Sequence, residues 1–193
     1  EAVPVGLGAM AAIIGLDDDA INAVCLETSQ GDHSLVRAVN YNSPGQVVIA
    51  GHADAVTTAI EALKAAGAKR ALPLPVSAPL HTPLMQPAAE ALRQALQDIE
   101  VKDPTVPVIS NVNANPQQHG DRIRDLLIQQ VVAPVQWTAC VQTMVGQGCS
   151  DFVECGPGKV LSGLIRRIDK SKTSHSLDTP QGFEQALSAL SAA

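Results

Sequence analysis

The sequence predicts an α/β protein in two parts: a ferredoxin-like unit over residues 8–76, and over residues 77–193 part of a parallel sheet covered by helices. Three observations predict this. Strand and helix patterns follow the order βαββαβ in the first part. In the second part helices alternate with only about three strands, too few for a self-sufficient parallel sheet. The composition is 46% hydrophobic but 2% aromatic, so the core is built from Ala, Val, Leu and Ile, a mixture suited to helices packed on a largely buried sheet.

The first part reads as follows. AMAAIIGL (9–16) is a short apolar strand. DDDAINAVCLET follows, acidic at its front as a helix start requires, with Ile21, Val24 and Cys25 apolar. SLVRAVNYNS alternates as a strand does, SPG turns the chain, and QVVIAG is a β-branched strand. HADAVTTAIEALKAAGAK sets Val56, Ile60 and Leu63 on one helical face, with Gly67 in the place of a C-terminal cap. KRALPLPV closes the unit as a strand.

In the second part, PLMQPAAEALRQALQDI has helical spacing and TVPVISNV reads as a buried-type strand. DRIRDLLIQQVV is a short amphipathic helix with Asp121 as its N-cap. WTACVQTMVGQG is a helix ending in glycine, DFVECG a strand, PGKVLSGLIRRI a helix with proline in its first turn, and TPQGFEQALSALSAA a last helix.

Composition narrows the function. The formal charge of −6 argues against nucleic acid as the main partner. No apolar run approaches the roughly 20 residues of a membrane span, and no signal-peptide pattern is present. Cys25, Cys140, Cys149 and Cys155 are widely scattered, without metal-ligand spacing, as suits reduced thiols in the cytoplasm. ECGPGKVLSG lacks the spacing of a phosphate loop.

Two residues stand out chemically. His81, in SAPLHTPLM, directly follows a predicted strand, where sites of α/β sheets gather, and imidazole exchanges protons near neutral pH. It is either a hydrogen-bonded loop histidine or a catalytic base. Gln130 shares the apolar face of Ile123, Leu126, Leu127 and Val131, so its amide turns inward at a helix end rich in unpaired carbonyls. Such a carbonyl can hold a histidine in one tautomer; a fraying helix end is the plainer alternative. NYNSPGQ, with Asn40 and Asn42, either caps its own turn or lines a cleft. No G-x-S-x-G elbow is present; Ser77, Cys149 and Cys155 are the weak candidates for a nucleophile.

In order along nearly the whole chain, GAMAAIIGL, VNYNSPGQVVIAG, AAGAKRALPLPVSAPLHTPLM, VPVISNV, PVQWT and VECGPGKVLSGLIRRI resemble the malonyl-CoA:acyl carrier protein transacylase family of fatty acid synthesis. The resemblance implies an α/β-hydrolase-like large subdomain with an inserted ferredoxin-like one. It implies ping-pong transfer of malonyl from malonyl-CoA to the phosphopantetheine thiol of acyl carrier protein, with no cofactor or metal. His81 would be the base, and Gln130 matches the glutamine whose backbone carbonyl orients it. Leu80 would fill the space that an α-methyl needs, and Asn40 and Asn42 would face substrate. The family's G-H-S-L-G serine, its carboxylate-binding arginine and its glutamine loop have no match here. The expectation is therefore a carboxyl-terminal two thirds, with residues 1–7 a linker from the rest, incomplete unless a second chain supplies the serine. Arg166, Arg167, Lys170 and Lys172 would dock the acidic carrier, or form only a solvated helix end. The alternatives are a non-catalytic module binding carrier protein or thioester, and a thioesterase using a nucleophile of this chain.

Overall fold

A computed structural model describes residues 3–191; residues 1–2 of the expected linker lie outside the described residues. The chain divides into two compact units, one reaching to Cys140 and one starting at Val141.

The first unit opens with β1 (Gly8–Ile14), α1 (Asp18–Thr28), β2 (Val36–Ser43), β3 (Gln46–His52), α2 (Ala53–Ala65) and β4 (Arg70–Pro73), the βαββαβ order read from the sequence. The strands form one antiparallel sheet in the order β2-β3-β1-β4. Helices α1 and α2 bury Ile21, Ala59 and Leu63 against Ile13, Val47 and Ile49 of one sheet face. The opposite face buries Met10, Val39, Val48 and Ala50. Central β3 is thus apolar on both faces, which is why its sequence is an unbroken apolar run. Gly51 is required there because a Cβ would strike the Leu35 carbonyl. Asp17 caps α1, its Oδ1 accepting from the Ala20 N–H at 2.8 Å. β2 is an edge strand with two register irregularities, at Val39 and Asn42.

Beyond β4 the first unit holds α3 (Gln86–Ala95), β5 (Val108–Ile109), β6 (Pro116–Gln117) and α4 (Gly120–Gln129). Three expectations change here. TVPVISNV pairs over two residues only, antiparallel to β6, and leaves Val106 69% and Val108 41% exposed. The long helix read over 83–99 begins with a 3-10 turn at Pro83–Met85 and closes after Ala95. Asp121 lies in the first turn of α4 and does not cap it; His119 holds the cap position without a side-chain bond. The capping work falls instead to Asp103, whose Oδ1 accepts from the Gly120 N–H at 2.7 Å.

Helix α5 (Trp137–Gly146) crosses the division between units. The second unit then contains β7 (Asp151–Glu154), α6 (Val160–Ile168), β8 (Thr173–Ser176) and α7 (Pro180–Ser191). β7 and β8 pair in parallel. β8 is an addition to the sequence reading, its polar TSHS giving no apolar alternation. Helix α6 starts at Val160, so Pro157 precedes it and does not occupy its first turn.

Candidate active site

His81 sits not at a strand exit but in an irregular segment eight residues past the end of β4 at Pro73. Two buried anchors shape that segment. Pro79 is fully buried and packs on Gly8, where a Cβ would clash with the proline ring. Thr82 is also fully buried, its hydroxyl donating to the Pro79 carbonyl at 2.6 Å. Between them the backbone bulges outward, leaving Leu80 38% exposed and His81 at φ +61°. Besides His81, only Ala114 among the described non-glycine residues has positive φ. For an L-residue this conformation costs about 1–2 kcal/mol.

The imidazole has one partner of defined geometry: Nδ1 lies 2.7 Å from the backbone carbonyl oxygen of Gln130. A carbonyl can only accept, so Nδ1 carries the proton and donates it. In the neutral ring of this tautomer, Nε2 is the nitrogen that accepts a proton. The carbonyl is available because Gln130 is the C-cap of α4. Its own N–H bonds Leu126 O at 2.9 Å, and the chain leaves the helix through tight bonds from Val131 to Ile128 and from Val132 to Gln129. Gln130, with Ile123, Leu126, Leu127 and Asn111, lines a cavity of about 270 Å³.

The stretch after Gln130 is tied to the small sheet, which the sequence reading did not foresee. Val135 N–H bonds Val39 O at 2.8 Å and Tyr41 N–H bonds Val135 O at 2.9 Å, so Asn40 forms a parallel bridge with Val135. The Thr138 hydroxyl donates to Tyr41 O at 3.0 Å. The irregularity at Val39 turns its carbonyl away from β3 and toward Val135. Asn40 therefore lies on an edge joined to the Gln130 segment, while Asn42 sits at the second irregularity, half-buried.

The thiols divide sharply. Burial pushes Cys25 up to about 12 and Cys140 up to about 11, the wrong direction for a nucleophile. Cys149 and Cys155 are exposed. Ser77 lies in the irregular segment past β4, not on a strand.

In the second unit, Arg166, Lys170 and Lys172 line a cleft of about 510 Å³ together with Lys159, Ser162 and Ser174. Arg167, next along α6, is not part of its lining. The start of α6 is occupied by a side chain of its own unit. Glu154 accepts from Leu161 N–H at 3.0 Å, Ser162 N–H at 2.8 Å and the Ser162 hydroxyl at 2.7 Å. Burial alone would raise the Glu154 carboxyl, but the bonds from Ser162, Leu161 and Val160 outweigh it and hold the group below its ordinary range.

Comparison with known proteins adds the following. The family described as acyl transferase domain matches residues 5–180. A protein of Escherichia coli O157:H7 named malonyl CoA-acyl carrier protein transacylase is 54% identical over 187 residues, covering 97% of this chain and 60% of that protein. Its namesake in Bacillus subtilis strain 168 is 43% identical over 98% of this chain and 60% of its own length. An acyl-carrier-protein S-malonyltransferase crystal structure from Burkholderia pseudomallei 1710b superposes with a TM-score of 0.93 at 47% identity, over 97% of this chain and 60% of that one. A malonyl-transacylase solved in complex with its holo type II PKS acyl-carrier protein has a TM-score of 0.93 at 46% identity, again over 97% and 60%. The chain thus spans about 60% of the length of the curated relatives it matches.

Proposed function

We infer that this chain, which belongs to the acyl transferase domain family, contributes the base and its orienting carbonyl to a serine–histidine site that transfers malonyl from malonyl-CoA to the phosphopantetheine thiol of acyl carrier protein. The observation that carries this reading is the 2.7 Å bond from His81 Nδ1–H to the Gln130 carbonyl, which leaves Nε2 as the proton acceptor.

In the proposed reaction, Nε2 takes the proton of a serine hydroxyl supplied by sequence outside this chain. The serine oxygen attacks the thioester carbonyl, and the developing imidazolium is steadied by Gln130 O through Nδ1–H. Collapse of the tetrahedral intermediate breaks the C–S bond, and the thiol of coenzyme A leaves with the proton from Nε2. The carrier's thiol then gives its proton to Nε2 and attacks the malonyl-serine ester; collapse breaks the ester C–O bond and the serine oxygen leaves with the proton from Nε2. No resident cofactor or metal enters these steps, and the reaction belongs in the cytoplasm. Leu80 fills the space beside the acyl α-carbon, a contact worth about 1–3 kcal/mol against an extra methyl. Asn40 and Asn42 face the substrate from the β2 edge. Arg166, Arg167, Lys170 and Lys172 receive the acidic carrier.

The test uses the complete enzyme containing this chain. His81→Ala should lower kcat/KM by about 10²–10⁴-fold and abolish the malonyl ester seen by intact mass after brief exposure to malonyl-CoA. Unchanged turnover would sink the reading. Gln130→Ala, which keeps the carbonyl, should cost far less than His81→Ala.

A further inference from the structure

We propose that Thr82 is a positioning residue for the His81 base, its hydroxyl closing the turn that carries the imidazole to the Gln130 carbonyl. The role of base rests on the acyl-transfer reading; the hold on the ring does not. Leu80 and His81 occupy the two central places of a turn between Pro79 and Thr82. A positive φ at the third place of such a turn suits glycine or asparagine. His81 holds it at φ +61°, and the Thr82 hydroxyl draws the two ends together by donating to the Pro79 carbonyl at 2.6 Å. Both ends are fully buried, so no water can replace that bond.

Donor and acceptor are each fixed from outside the turn. Pro83 restricts the residue before it to extended backbone, and Thr82 stands at φ −116°, ψ 162°. The Thr82 carbonyl accepts from the Met85 N–H at 3.0 Å, and Met85 is buried. A β-branched side chain has few χ1 choices, so the hydroxyl keeps one direction. Pro79 is held against Gly8 of β1. Thr82 has no exposed surface with which to touch a substrate, so its effect on the reaction passes through its neighbour.

The other end of the imidazole bond is set independently. Gln130 closes α4, its N–H bonding Leu126 O at 2.9 Å. The turn therefore decides whether Nδ1 stays 2.7 Å from the Gln130 oxygen. An opened turn lets residue 81 relax to the negative φ that L-residues prefer, which swings its Cβ. Nδ1–H then loses its acceptor, and the proton distributes over both ring nitrogens. In the molecules with the proton on Nε2, the ring cannot act as the base.

The experiment is NMR of the histidine ring nitrogens, the His81 signals being those missing from H81A. In the wild-type chain and in T82S, which keeps the hydroxyl, the neutral His81 ring is expected to carry its proton on Nδ1. In T82V, which keeps the shape without the hydroxyl, the tautomer ratio should swing by at least about fivefold toward Nε2–H. His52 is the internal reference: its Nδ1 accepts from the Leu35 N–H at 3.0 Å, so its proton stands on Nε2 and should stay there in every variant. In the complete enzyme, T82V should lower kcat by about ten- to a hundredfold with KM for malonyl-CoA within about twofold, and T82S should restore it. An unmoved tautomer ratio in T82V, or a kcat equal to wild type, overturns the proposal. T82A read against T82S repeats the comparison if valine misfolds the turn. Loss of the His52 pattern in both T82V and T82A makes Thr82 a folding residue only and overturns the proposal as well. If H81A leaves turnover unchanged, the acyl-transfer reading fails while the ring nitrogens still report on Thr82.

Discussion

Residues 46–52 and 105–112 have much the same apolar, β-branched chemistry and come to opposite ends. In QVVIAGH, Val47, Val48, Ile49 and Ala50 are all buried, because β3 has β1 on one side and β2 on the other. In TVPVISNV only Val108 and Ile109 pair, and only with the two residues of β6. Val106, held between prolines and without a strand beside it, stays in water. A β-branched run becomes a buried strand when neighbours take up its N–H and C=O groups; sequence pattern supplies the aptitude, pairing supplies the outcome.

The contrast can be broken from either end. Leu63→Ala, removing a fully buried side chain beneath the small sheet, should cost about 2–5 kcal/mol in urea unfolding. A loss below about 1 kcal/mol would mean that this core relaxes and is no tighter than the second region. Asp17→Ala should cost about 1 kcal/mol by uncapping α1. No change in midpoint would show that α1 is held by packing alone.

A third test lies in the second unit. Because Glu154 is held below its ordinary range in the folded chain, its bonds to α6 stabilise fully above the unfolded carboxyl value and are lost as pH falls through the folded one. The protection of the Leu161 and Ser162 amides, taken relative to their intrinsic exchange rates at each pH, should therefore fall on acidification. In Glu154→Gln the protection should be lower from the start and flatter with pH. Equal acid limbs would remove Glu154 from any role in holding the helix start. The smallest effect is expected for Val106→Ala, within about 0.5 kcal/mol. A cost approaching that of Leu63→Ala would show that the segment is covered in solution.

The βαββαβ unit was legible because each element is punctuated locally: acidic helix starts, SPG between strands, alternating β-branched residues. Gln130 was legible as an amide on an apolar face, and the carbonyl that meets His81 belongs to that residue. What escaped depends on contacts between distant residues. The bridge from Asn40 to Val135 joins segments with no shared pattern. Asp103 serves a helix start 17 residues away, so the nearer Asp121 looked the better cap. The left-handed backbone of His81 follows from the burial of Pro79 and Thr82 on either side, not from its own identity, and β8 lacks the apolar alternation that marks a strand.

That backbone bears on how the chain tolerates change. Glycine enters the left-handed region without a Cβ penalty, and asparagine is among the side chains that tolerate it best. If random variants were sorted by heat resistance alone, position 81 would drift from imidazole toward glycine or asparagine, and the loop would lie easier for it. Thermal ranking and catalytic ranking of this one site should then run in opposite directions, so a stabilising hit there is a warning, not a gain.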